Sequence, residues 1–193
     1  MKRKSTSVLL LIGILSLVIP SARGQLFEVG DKDLNFTIGY GTPWVIRHDY
    51  RTMLPPITVS FDLGFRDDLG PGILSIGGLV GATTYRNIIV DPDWNPEYGK
   101  KSTTLIGAIR STYHYQFLDK LDTYGGVHLG LRYESWREYG STPADYVMDI
   151  DITIRPIFNL FVGAKYYFSD NIFALGEIGY SIAFINIGVG IRL

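Results

Sequence analysis

The sequence predicts an all-β chain folded as an eight-stranded antiparallel transmembrane β-barrel. Three observations carry that expectation. Segment after segment alternates apolar residues with small or polar ones, the connections alternate between short and long, and the polar set holds charges of both signs. Period-two alternation marks a strand whose two faces meet different surroundings. Short turns at one end and long loops at the other are how membrane barrels distribute their connections.

An export segment precedes the strands. Lys2, Arg3 and Lys4 lead into an apolar run from Val8 to Ile19, Pro20 closes it, and Ala22-Arg23-Gly24 offers small residues to a signal peptidase. Residues 1–24 are therefore expected to be a cleaved signal peptide and 25–193 the barrel domain. The run is shorter than the roughly 20 residues a helical span needs. With no cysteine in the chain, disulfides, thiolate metal sites and a cysteine-linked lipid anchor are excluded. Without Lys2, Arg3, Lys4 and Arg23, the 18 basic residues fall to 14 against 19 acidic ones, a net charge of −5. That balance argues against a nucleic-acid partner, which favours a basic face. Mean hydropathy is nonetheless slightly positive, and alternation rather than any long apolar run accounts for it.

The strands read in order. Phe36, Ile38 and Tyr40 alternate with Asn35, Thr37 and Gly39. Ile57, Val59, Phe61, Leu63 and Phe65 alternate with Thr58, Ser60, Asp62 and Gly64. Leu74, Ile76, Val80 and Ala82 alternate with Ser75, Gly77, Gly81 and Thr83, with Gly78 and Leu79 out of pattern. Leu105, Gly107, Ile109, Tyr113 and Tyr115 oppose Thr104, Arg110, Thr112 and His114. Val127, Leu129, Leu131 and Tyr133 oppose Gly126, His128, Gly130, Arg132 and Glu134. A sixth segment keeps one parity from Met148 to Tyr166, long enough to project beyond a membrane that 9–11 tilted residues cross. Within it Pro156 predicts a bulge or break. Ile172–Tyr180 follows through Ser169-Asp170-Asn171, and Ile185–Leu193 is the eighth. Short connections are expected near 66–71, 118–122 and 169–171. Long ones are expected near 45–54, 87–102 and 140–146, and a projecting sheet from the fifth and sixth strands.

A soluble sandwich would alternate too, with its apolar set facing a core. Here the opposite set is rich in Gly, Ser, Thr and Asn, and its charges are mixed: Asp62, Glu134 and Glu177 against Arg110, Arg132, Lys165 and Arg192. Those seven residues predict a self-neutralising network in a narrow lumen, since a lone buried charge costs several kcal/mol and eight strands leave an interior that side chains fill. Lys165 and Glu177 are expected to meet diagonally across neighbouring strands. Trp44, Trp94 and Trp136 beside the long loops, and Phe117, Tyr124, Tyr167 and Phe168 beside the short turns, predict two aromatic girdles at the water boundaries.

The C-terminal "YYFSDNIFALGEIGY" followed by "INIGVGIRL" resembles the small bacterial outer-membrane β-barrels of the OmpA/OmpX type, also described as porin-family or outer-membrane β-barrel domain proteins. The resemblance implies a Gram-negative cell outer membrane, with lipid and the barrel-assembly machinery as partners. Members commonly end in a terminal aromatic read by that machinery, where Leu193 stands here. It implies no single activity, because fold does not fix function.

The search for reactive chemistry yields no catalytic, cofactor or metal site. His128 and Glu134 share a face but lie about 20 Å apart at ~3.3 Å per residue. His48 has no serine–carboxylate arrangement nearby. Asp91, Asp93, Asn95 and Glu97 alternate like a calcium loop, but Pro96 and Ser102 occupy the positions where an EF-hand needs glycine and glutamate. Arg110 and Arg132 could line a pore constriction. The expected function is a structural or surface-interaction barrel contacting an unknown extracellular partner through its loops. A narrow small-solute pore is the alternative, and a lipid-modifying enzyme a further one.

Overall fold

Each strand pairs antiparallel with the next in chain order: β1 (Lys32–Tyr40), β2 (Tyr50–Arg66), β3 (Ile73–Ile89), β4 (Tyr98–Leu118), β5 (Leu121–Tyr139), β6 (Ile150–Tyr167), β7 (Ile172–Gly179) and β8 (Ile185–Arg192). β8 also pairs with β1, from Asp33↔Arg192 to Tyr40↔Ile185, and this closes the barrel. The computed structural model describes residues 26–42, 50–89, 98–139 and 150–193. Residues 1–24, expected to be a signal peptide, lie outside those residues, as do Trp44, His48, Trp94 and the Asp91–Glu97 stretch.

The barrel wall is uneven. β1, β7 and β8 have 9, 8 and 8 residues, whereas β4 and β5 have 21 and 19. β6 pairs with β7 only from Phe161 to Tyr167, and β2 with β1 only from Ile57 to Leu63. The projecting sheet therefore spans β2 to β6 rather than the fifth and sixth strands alone. Strand also replaces part of the long loops expected over 45–54 and 87–102, because the cross-strand ladder continues through Arg51↔Arg86 and Arg86↔Lys101.

Pro156 neither bulges nor breaks β6; the register to β5 runs straight through Leu131↔Pro156. It lies where β6 has no described neighbour on its far side, a place where a missing N–H costs no ladder bond. In β2, Pro55 and Pro56 follow the last pair with β1, Ile38↔Ile57; Pro56 is buried beside Gly39, and the register to β3 shifts on either side of Leu54. Exposed Pro156 on the β6 edge discourages further strand pairing there.

Side chains segregate as alternation predicts. Phe36, Ile38, Val59, Val80, Ile109, Leu129, Phe158, Val162, Ile178, Ile187 and Val189 cover the outside, while Asn35, Asp62, Ser75, Arg110, Thr112, His114, His128 and Lys165 are buried within. Glycines on the inner face make room for its aromatics. A Cβ on Gly190 would come 2.2 Å from the Phe173 ring, and one on Gly163 2.6 Å from Tyr124, the residues opposite them in the ladder.

Leu79, out of pattern in the sequence, faces inward. With Ile106, Ile157, Ile182 and Ala183 it forms an apolar cluster. The connection between β7 and β8 is compact, closed by hydrogen bonds from Gly179 N to Phe184 O (3.0 Å) and from Phe184 N to Gly41 O (3.0 Å). This fold tucks Ile182 and Ala183, both fully buried, into the loop end of the lumen.

Candidate functional site in the barrel lumen

The lumen's turn end is filled by charge. β1 supplies Asp33, β2 Asp62, β4 Arg110, β6 Lys165, β7 Glu177 and β8 Arg192, each at an inward position of its strand. Lys165 Nζ lies 2.9 Å from Asp33 Oδ2 and 3.6 Å from Asp62 Oδ2. Arg110 bridges Asp62 Oδ1 at 2.8 Å and Glu177 Oε1 at 2.9 Å, and donates to Ser60 Oγ at 3.0 Å. Arg192 reaches Asp33 Oδ1 at 2.9 Å and Asp31 at 3.0 Å. Neutral donors finish the carboxylates: Asn35 to Asp62 (3.0 Å), Tyr124 to Glu177 (2.9 Å) and Tyr167 to Asp33 (3.2 Å).

Three buried carboxylates thus face three cations, which offsets their removal from water. Aromatic faces complete the packing. Lys165 sits 5.1 Å from the Phe27 ring centroid, 5.3 Å from Tyr124 and 5.1 Å from Phe173, distances at which a cation is attracted to the ring.

Of the seven predicted charges, Asp62, Arg110, Lys165, Glu177 and Arg192 meet in this network. Arg132 and Glu134 form a separate pair at 3.4 Å, farther toward the loop end. Lys165 and Glu177 both face inward but do not pair with each other. Lys165 lies opposite Leu175, and Glu177 opposite Gly163, and nearer partners claim both charges. Asp33, Asp122, Tyr124 and His114 belong to the lumen as well. Parity from Asn35 back to Asp33, and from His128 back through Tyr124 to Asp122, was the available signal.

The aromatic assignments change in three places. Tyr167 and Tyr124 are buried lumen residues, 3% and 4% exposed. Trp136 stands in β5 opposite Ser102 and Asp151, on the inner face of the projecting sheet. In each case inward parity outweighs position near a strand end. Phe117 and Phe168 are exposed on the outside.

A second polar group lies beside the network. Asp122 Oδ2 is 2.7 Å from His114 Nδ1, His114 Nε2 is 2.8 Å from Thr112 Oγ1, and Thr112 hydrogen-bonds Ser75. The order carboxylate–imidazole–hydroxyl resembles that of a nucleophilic relay. Here every member is at most 2% exposed, and Phe27 stacks on the imidazole at 4.1 Å between ring centroids. The hydroxyl is sealed from solvent inside the lumen. Farther along, His128 stacks on Phe161 at 4.2 Å with both ring nitrogens lacking hydrogen-bond partners.

The outside supplies the complementary fact. Large apolar side chains are exposed on all eight strands, whereas a soluble monomer leaves only small contiguous apolar patches to water. Among solved structures, the outer membrane protein OprG from Pseudomonas aeruginosa matches with a TM-score of 0.52 at 9% identity, covering 86% of this chain and 97% of that one. The chain has the fold of a small outer-membrane β-barrel. Two further likenesses have TM-scores below 0.5. The N-terminal β-barrel domain of Pseudomonas aeruginosa OprF gives 0.46 at 15% identity, covering 86% of this chain and 100% of that one. Ail, the attachment invasion locus protein of Yersinia pestis, gives 0.42 at 8% identity, covering 86% and 96%. No family model and no curated protein matches the chain. The barrel crosses lipid with strands, and the OmpA/OmpX-type resemblance holds at the level of fold.

Proposed function

We propose that this chain is a non-conducting barrel of the bacterial outer membrane whose lumen is a structural core and whose contacts are made at the loop end. In this reading residues 1–24 are removed on export, the barrel-assembly machinery inserts the chain, and the short turns face the periplasm. One observation carries it: the lumen is stopped twice. Phe27 and the Asp33–Lys165–Asp62–Arg110–Glu177 network fill the turn end, and Ile182 with Ala183 fills the loop end against Leu79, Ile106 and Ile157. A pore would need Arg110 facing open water; it is instead held between Asp62 and Glu177.

The projecting β2–β6 sheet is the surface left for contact with other molecules. Its β6 edge carries exposed Pro156, which favours recognition by the sheet's face or its loops over addition of a strand there. Reconstitution into planar bilayers tests the reading. The expected result is no single-channel steps above the bare membrane. Steady steps whose size changes when Arg110 or Arg132 is replaced would establish the pore instead. Membrane fractionation with heat-modifiable gel migration tests the location, since a folded outer-membrane barrel migrates differently unboiled.

A further inference from the structure

Four basic residues stand directly opposite one another across four strands. Arg51 of β2 pairs with Arg86 of β3, Arg86 with Lys101 of β4, and Lys101 with Arg137 of β5. Residues paired across a ladder point to the same side of a sheet, so the four share a face. Lys101 and Arg137 hold the same parity as Leu105, Ile109, Leu129 and Leu131, which are exposed on the outside. At ~4.8 Å between strands the row is about 14 Å long. Like charges directly opposite destabilise a sheet. Among the described residues, no carboxylate makes an ion pair with any of the four. One position away, on the inner face, Lys100 pairs with Glu138 at 3.4 Å.

The rows beneath are layered. Two rows farther toward the turn end (four residues along β3, β4 and β5, six along the bulged β2), the same face presents Ile57, Ala82, Leu105, Tyr133 and Ile154; between lie Leu54, Thr84, Thr103, Ser135 and Ile152. On β3, β4 and β5 apolar gives way to hydroxyl and then to cation, while β6 stays apolar through Ile152 to Ile150, which stands opposite Arg137. From Leu121 to Tyr133, β5 covers about 40 Å at ~3.3 Å per residue. A tilt of about 40° brings this to roughly 30 Å, close to the ~25 Å apolar band of such barrels. Tyr133 therefore marks the hydrocarbon boundary, and the cation row lies about 10 Å beyond it, at headgroup depth.

We propose that Arg51, Arg86, Lys101 and Arg137 form a binding site for the phosphate groups of anionic lipid in the leaflet at the loop end. The phosphates supply the negative charge that no described carboxylate brings to the row, and the barrel is held at a fixed depth. The inference rests on the membrane reading above. Basic residues next to a membrane surface each strengthen association with anionic lipid by roughly fivefold.

The test uses the full chain folded in neutral detergent, titrated with mixed micelles carrying a doubly phosphorylated glycolipid or its phosphate-free counterpart. Heat-modifiable migration first establishes that wild type and R51Q/R86Q/K101Q/R137Q are both folded, which separates failure of the site from failure of the barrel reading. The quadruple variant is expected to bind the phosphorylated lipid about 100-fold or more weakly. R51K/R86K/R137K should retain most of the affinity, and the phosphate-free lipid should not discriminate between wild type and the quadruple variant. Unchanged binding in the quadruple variant overturns the proposal. So does binding of inositol hexakisphosphate, with no lipid present, as tight as that of the phosphorylated lipid, because the row would then recognise soluble polyanions.

Discussion

Inside the lumen, Lys165, Arg110 and Arg192 each lie within 3.0 Å of a carboxylate. At the loop end, Arg51, Arg86, Lys101 and Arg137 lie beside one another with no such partner among the described residues. The difference follows from solvent. A cation sealed from water must carry its counter-charge with it, while one on an exposed face can take its counter-charge from outside. The first set should therefore govern stability and the second should govern contacts.

The comparison breaks first if the inner set proves dispensable. Arg110→Leu leaves Glu177 buried without its cation and Asp62 with only Lys165 at 3.6 Å, and should destabilise the barrel by about 3–5 kcal/mol, read from the midpoint of urea unfolding in lipid vesicles. Much of that loss should return in D62N/R110L/E177Q, where no charge is stranded. Phe27→Ala should cost about 3 kcal/mol, since Phe27 packs against His114, Lys165 and Arg192 at once. Ile182→Ala opens a cavity in the loop-end cluster and should cost about 2 kcal/mol in the same measurement.

Smaller effects sharpen the contrast. His128 is buried and polar, yet lacks hydrogen-bond partners. If pairing rather than polarity stabilises the lumen, His128→Leu should change stability by less than about 1 kcal/mol. R51Q/R86Q/K101Q/R137Q should leave unfolding in neutral detergent within about 0.5 kcal/mol, although it removes four charges.

The barrel was legible in the sequence because alternation reports burial residue by residue. Val59 outside and Ser60 inside need no knowledge of their neighbours. Partner choice was not legible. Lys165 and Glu177 are near each other in sequence, but ring closure brings Asp33 and Asp62 to Lys165 and Arg110 to Glu177. Aromatics near strand ends were ambiguous for a related reason. Phe168 and Tyr167 are adjacent, and parity alone sends one outside and the other into the lumen. The apolar plug was hidden because Leu79 and Ile106 break or ignore the pattern of their strands. Their purpose emerges only when the β7–β8 connection delivers Ile182 and Ala183 to them. The cation row likewise depends on register, which places Arg51, Arg86, Lys101 and Arg137 side by side although they are scattered along the chain.

Orientation of the two strand faces underlies all of this, and nitroxide labels read it directly. Cysteines introduced singly at Val59, Leu129 and Ile187 of the barrel in lipid vesicles would be spin-labelled and their relaxation by oxygen and by a water-soluble nickel chelate compared. Oxygen should dominate at all three positions, placing them in hydrocarbon. Dominance of the nickel chelate at those positions would turn the barrel inside out and contradict the account.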